Sequence, residues 1–131
     1  MICADTSSLV ALLGGEQGHD VDLVRQALTD RILCVSPTSV TELLSDPDPS
    51  PSLAELVTKI PRLEISEGYW ERAGKLRARM FRHQLRPKFA DTLIAQSCLD
   101  HRVPLVTRDR DFSCFQKFAG LRVLAIGDLL Q

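Results

Sequence analysis

Four carboxylates, Asp5, Glu42, Asp91 and Asp109, stand where a hard-cation site would need them. Asp5 follows the apolar run Ile2-Cys3-Ala4, and Asp109 follows Val103-Pro104-Leu105-Val106 with Thr107 and Arg108 between. Glu42 falls in the first turns of a helix after Leu33-Cys34-Val35, and Asp91 opens an apolar helix. Magnesium takes octahedral oxygen ligands and is usually held by only a few carboxylates. Carboxylates crowded together without a cation repel one another and raise one another's pKa, a penalty that a metal removes. One or two such ions activate a water, orient a phosphodiester and stabilise its leaving oxygen. The four acids are therefore expected to converge on Mg²⁺ or Mn²⁺. Each alone has an ordinary explanation: Asp5 as a helix cap, Glu42 as a solvated helix residue, Asp91 facing a helix dipole, Asp109 as a turn residue. Those explanations leave their joint placement unaccounted for.

The elements that would position these acids alternate between strand and helix. Strands are expected at Ile2–Ala4 and at residues 32–35, 63–65, 104–106 and 122–125. Helices are expected over residues 7–13, 18–29, a stretch beginning at Ser36-Pro37, 52–60, 66 to about 84, and Phe89–His101. Residues 111–118 read as a short helix or irregular turn, and residues 128–130 end the chain. Gly14-Gly15 stops the first helix, Pro87 breaks the chain before Phe89, and Asp46-Pro47-Asp48-Pro49-Ser50-Pro51 is a rigid connector. This alternation predicts a parallel sheet covered by helices on both faces. Ligands of such sheets bind beyond the strands' carboxyl ends, where Asp5 and Asp109 both fall.

A chain of 131 residues with 44% hydrophobic residues is expected to form one domain, residues 1–131, with a substantial core. No apolar run is long enough to span a bilayer, and no signal peptide is evident. Cys3, Cys34, Cys98 and Cys114 form no CxxC pair and are not spaced with His19, His83 and His101 as zinc ligands. They are expected to be small core residues in a reducing cytoplasm rather than a disulfide framework. The net charge of −1 hides an asymmetry: residues 1–70 hold 11 of the 17 acids, and residues 71–131 hold 12 of the 16 bases. No Walker loop, GxGxxG, HExxH or Gly-x-Ser-x-Gly elbow is present.

The segments Ala4-Asp5-Thr6-Ser7, Val40-Thr41-Glu42-Leu43, Ala90-Asp91-Thr92-Leu93-Ile94-Ala95 and Val106-Thr107-Arg108-Asp109-Arg110-Asp111-Phe112 carry a resemblance. Together, in order and over nearly the whole chain, they resemble the four acidic motifs of PIN domains, most of all those of VapC-like toxin ribonucleases from bacterial toxin–antitoxin pairs. The resemblance implies a three-layer α/β/α fold with a five-stranded parallel sheet and a Mg²⁺- or Mn²⁺-dependent endoribonuclease that leaves 5′-phosphate and 3′-hydroxyl ends. It implies a cognate antitoxin as partner, and a toxin homodimer or toxin–antitoxin hetero-oligomer. Asp5, Glu42 and Asp91 match the three strongest acidic positions and Asp109 the fourth, with Asp111 able to substitute or assist. Thr6 and Thr107 are expected to support the acids. The loop at residues 14–20, with its two consecutive glycines and little bulk, is where this chain departs from the pattern.

Arg72, Lys75, Arg79, Arg82 and Arg86 recur at helical spacing and are expected to line one face, with Arg79 and Arg82 weighed as RNA contacts against a solvated face. Arg108 and Arg110 bracket Asp109, either for substrate phosphate or for pairing with nearby acids. Aromatic residues are sparse, so no stacking platform is expected. Leu53, Leu56, Val57 and Ile60 form a stripe that serves the core or, alternatively, an antitoxin helix. Two other functions fit the same residues: a housekeeping PIN nuclease of RNA processing, and a catalytically silent RNA- or protein-binding module. The RNA that is cut and the number of metal ions are not specified by the sequence.

Overall fold

Four short, continuously apolar strands build the centre of the molecule. The computed structural model describes residues 1–125, so the expected chain end at residues 128–130 lies outside them. In chain order the elements are β1 (Ile2–Ala4), α1 (Thr6–Leu13), α2 (His19–Thr29), β2 (Leu33–Cys34), α3 (Pro37–Leu44), α4 (Pro51–Lys59), α5 (Tyr69–Arg82), α6 (Phe89–His101), β3 (Leu105–Val106), a 3₁₀ turn (Arg110–Phe112), α7 (Ser113–Ala119) and β4 (Val123–Leu124). The sheet is parallel throughout, in the order β2-β1-β3-β4.

Successive strand residues face opposite sides of a sheet, and the two cores follow that rule. Cys3, Cys34 and Leu105 belong to one cluster with Leu76, Met80, Ile94 and Phe112. Ala4, Leu33 and Val106 belong to the other with Leu9, Val24, Val40, Leu43 and Val57. Helices α5, α6 and α7 thus cover one face and α1 to α4 the other. Leu53, Val57 and Ile60 are buried in the second cluster, and Leu56 packs against its edge.

The expected fifth strand at residues 63–65 does not form. The chain meets Val35 in a single parallel bridge at Arg62, through Val35 N–H to Pro61 O and Leu63 N–H to Val35 O. Pro61 has no N–H to extend the ladder, and beyond Leu63 both Glu64 and Ile65 are exposed. The long helix is also shorter than expected, starting at Tyr69 after Gly68 in left-handed backbone (φ 82°) and ending at Arg82. Arg86 consequently lies beyond the helix that was expected to carry it in line with Arg72. All four cysteines are free, and Cys3, Cys34 and Cys98 are buried. A hydrogen bond with the Cys3 thiol, together with burial, holds the Cys34 thiol far above its ordinary range. None of the helices among the described residues is long and apolar enough to cross a membrane.

Candidate metal centre

The adjacent carboxyl ends of β1 and β3 place the first acids side by side. Ala4 is in register with Val106, and Asp5 N–H donates to Val106 O at 2.9 Å. Asp5 occupies the N-cap position of α1 but makes no capping bond. Its carboxylate, only 3% exposed, instead accepts from Ser7 Oγ at 2.6 Å and Thr107 Oγ1 at 2.8 Å. Burial raises the Asp5 pKa, and these two hydroxyls pull it back. The Thr107 hydroxyl also accepts the N–H of Asp109 at 2.9 Å. One threonine therefore ties the acid after β1 to the acid after β3.

Asp109 caps the 3₁₀ turn, its Oδ1 accepting from Asp111 N–H at 2.9 Å. The turn brings both acids to one side, facing Asp91 from the first turn of α6. Asp91, Asp109 and Asp111 each offer an oxygen, all within 4.8 Å of one another. Asp91 is 8% exposed, and its Oδ2 is buried with no hydrogen-bond partner. Its pKa is pushed up to about 7, first by burial, then by the charges of Asp5, Asp109 and Asp111, with Lys88 opposing. An orphaned buried carboxylate oxygen is costly. A cation among hard oxygen donors would satisfy it, so the residues present fit a hard divalent metal ion.

The sequence-derived acids are thus disposed unequally. Asp91 and Asp109 come together with Asp111, which was first weighed as a supporting residue, whereas Asp5 stands outside that three-oxygen group, tied to Asp109 through Thr107 and acting on Asp91 by its charge. Glu42 lies outside that group, on the exposed side of α3, its Oε1 accepting from Thr6 Oγ1 at 2.7 Å. The hydroxyl of Thr6, next to Asp5, is thus engaged by Glu42.

The arginines divide as well. Arg108 is committed to acids: Nε and Nη2 donate to Asp20 at 2.9 and 3.1 Å, and Nη1 pairs with Glu16 at 3.2 Å. Asp20, 5% exposed, also accepts from Ser8 Oγ at 2.8 Å, and the Arg108 and Ser8 bonds outweigh burial to lower its pKa. Gly18, at φ 152°, leaves room for this pair, since a Cβ there would lie 2.6 Å from Asp20 Oδ1 and 3.0 Å from Arg108 Nη2. Arg110 lines a concavity beside Asp111 with Arg86 and Lys88. Arg79 and Arg82 are exposed at the end of α5, and Arg79 lines a separate concavity with Lys75 and Asp100. Arg72 is bound to Asp100 at 2.7 Å. Sequence reasoning gave no individual role to Ser7, Asp20 or Lys88. The consecutive Asp-Thr-Ser was a signal for Ser7; Asp20 lies 88 residues from its arginine, and only the fold joins them.

The family model for the PIN domain matches residues 2–118. The chain belongs to the PIN domain family. No curated protein matches it. Among solved structures, the PIN fold seen here is similar to that of VapBC2 from Rickettsia felis, bound to a DNA fragment from its promoter. That match has TM-score 0.74 and 17% identity, over 94% of this chain and 97% of that one. DNA-bound VapBC from Salmonella typhimurium gives TM-score 0.72 and 17% identity over 94% and 97%. VapBC-5 from Mycobacterium tuberculosis, of the VapBC family of toxin-antitoxin systems, gives 0.67 and 17% over 93% and 95%. PIN domains are generally nucleases, and Asp5 and Asp109 follow the carboxyl ends of β1 and β3, where parallel sheets present their ligands.

Proposed function

We propose that this chain is a Mg²⁺- or Mn²⁺-dependent endoribonuclease, the toxin component of a toxin–antitoxin pair acting in the cytoplasm. The observation that carries the metal-dependent reading is Asp91, buried with an unpartnered oxygen beside Asp109 and Asp111. Asp91, Asp109 and Asp111 would hold the cation, and Asp5, fixed by Ser7 and Thr107, adds its charge from β1. A bound divalent ion supplies a polarised water and charge neutralisation at the scissile phosphate. Glu42, open to solvent and steered by Thr6, takes the proton of the attacking water on a carboxylate oxygen. Thr107 holds Asp5 and the Asp109 backbone in fixed relation. Hydrolysis on this scheme leaves a 5′-phosphate and a 3′-hydroxyl.

The toxin reading draws on the similarity in fold to VapBC proteins. An antitoxin segment has a suitable surface in the apolar groove lined by Leu12, Leu13, Leu28 and Leu56 and rimmed by Arg25, Glu55 and Lys59. Purified protein, free of antitoxin, is incubated with total RNA and Mn²⁺ and the new 5′ ends are mapped. Wild type should cleave only with the metal, and Asp5→Asn should lose cleavage while keeping its circular dichroism. Full metal-dependent cleavage by folded Asp5→Asn protein would contradict the assignment.

A further inference from the structure

Phe89 is the first residue of α6, two positions before Asp91, and is 63% exposed. It belongs to neither core cluster. The Arg77 guanidinium lies 5.7 Å from its ring centroid and 5.1 Å from that of Phe81, and Arg86 lies 4.7 Å from the Phe81 ring. Arg77 is held in place by donating Nε and Nη2 to Pro87 O at 3.2 and 3.1 Å. Guanidinium and ring therefore alternate along a short surface track, Arg86, Phe81, Arg77, Phe89, that ends at the first turn of α6, which carries Asp91.

The next residue back, Lys88, is exposed and places Nζ 3.9 Å from Asp111 Oδ2. Lys88, Arg86 and Arg110 border a concavity of about 320 Å³ that reaches Asp111. Cations thus rim a pocket whose own charge is negative, which is the arrangement needed to bring a polyanion up to clustered carboxylates.

We infer that this track is a nucleotide subsite for single-stranded RNA: an unpaired base stacks on Phe89, and the adjoining phosphate lies against Lys88 and Arg86. The inference rests on the ribonuclease reading and adds the residues that seat one nucleotide of its substrate. Exposed aromatics interleaved with arginine bind bases of any sequence, because every base offers a π-face. A base paired within a duplex cannot offer that face, so the site selects unpaired RNA. The local excess of cations favours RNA over an apolar protein segment as the occupant.

The test uses a fluorescein-labelled single-stranded 12-nucleotide RNA, the same RNA as a duplex, and the full chain in EDTA, so that binding is read without cleavage. Fluorescence anisotropy should give tighter binding of the single strand than of the duplex. Phe89→Ala should weaken single-strand binding by about tenfold, and Phe89→Trp should keep it. Lys88→Gln should reduce the slope of log K against log salt by about 0.7, the share of one phosphate contact on a single strand. Binding by Phe89→Ala within twofold of wild type overturns the subsite, as does equal affinity for duplex. If Phe89→Ala binds RNA normally but sediments as a different oligomer, the residue serves a protein interface and the inference is wrong. Wild-type cleavage with Mn²⁺, measured in parallel, separates the two readings. Retained cleavage with an indifferent Phe89 removes only the subsite, whereas wild type that neither binds nor cleaves RNA removes both.

Discussion

Asp91→Asn should make the metal-free protein more stable at neutral pH and unresponsive to metal. The Asp91 carboxyl titrates near 7 in the fold, against an ordinary 3.8. Because the folded value is raised, the native state binds the proton more tightly, and the stability this confers is full below pH 4 and is lost as pH rises through 7. At pH 7.5 the ionised carboxylate costs the apo-fold on the order of 2–4 kcal/mol, allowing for solvent screening at the open side of the pocket. Roughly 1–2 kcal/mol of that accrues between pH 5.5 and 7.5. Asp5 shifts in the same direction. Asp20 and Asp100 shift downward, so their contributions change only below about pH 4 and leave this window unaffected. Thermal denaturation in EDTA should therefore show the gap between Asp91→Asn and wild type widening in the variant's favour by roughly 3–8 °C from pH 5.5 to 7.5. Adding Mn²⁺ at pH 7.5 should raise the wild-type Tm and leave the variant unmoved. A gap independent of pH, or a variant less stable than wild type at pH 7.5, would refute the claim that burial and neighbouring charges disfavour the ionised Asp91.

Three further outcomes follow from the same geometry. Glu42→Gln should abolish cleavage while leaving Mn²⁺ affinity within about threefold by titration calorimetry, because Glu42 lies outside the three-oxygen group. Thr107→Val removes both the bond to Asp5 and the acceptor for Asp109 N–H; Mn²⁺ affinity should fall by about 10–100-fold with the fold intact by circular dichroism. Arg108→Ala strands buried Asp20 and should cost about 1–3 kcal/mol in urea denaturation, with charge-swapped Asp20→Arg/Arg108→Asp recovering part of it.

The site's framework was legible where one local rule decided it. Short apolar runs followed by Asp5 and Thr107 mark strand ends because buried parallel strands read as continuous apolar stretches. The bounds of α6 are as expected: Pro87 cannot lie inside a helix, and Lys88, in extended backbone, stands at the N-cap. The fifth strand misled because three residues, Leu63 to Ile65, carry too little pattern; their burial depends on what lies opposite, and only Leu63 is covered. Asp109 and Asp111 were not separable in sequence. A 3₁₀ turn, not an extended segment, puts both beside Asp91. Arg108, beside Asp109, read in sequence as placed for substrate phosphate, with pairing to an acid as the alternative; Asp20 claims it through a contact between distant segments. Phe89 looked like part of a sparse aromatic complement until helix α5 brought Arg77 over its ring.

The most direct test is an anomalous difference map from crystals soaked in Mn²⁺ at pH 8. The account predicts a peak bounded by oxygens of Asp91, Asp109 and Asp111, with the Asp91 Oδ2 atom among its contacts. A saturated crystal with no peak in that pocket, or with manganese bound only elsewhere, would contradict it.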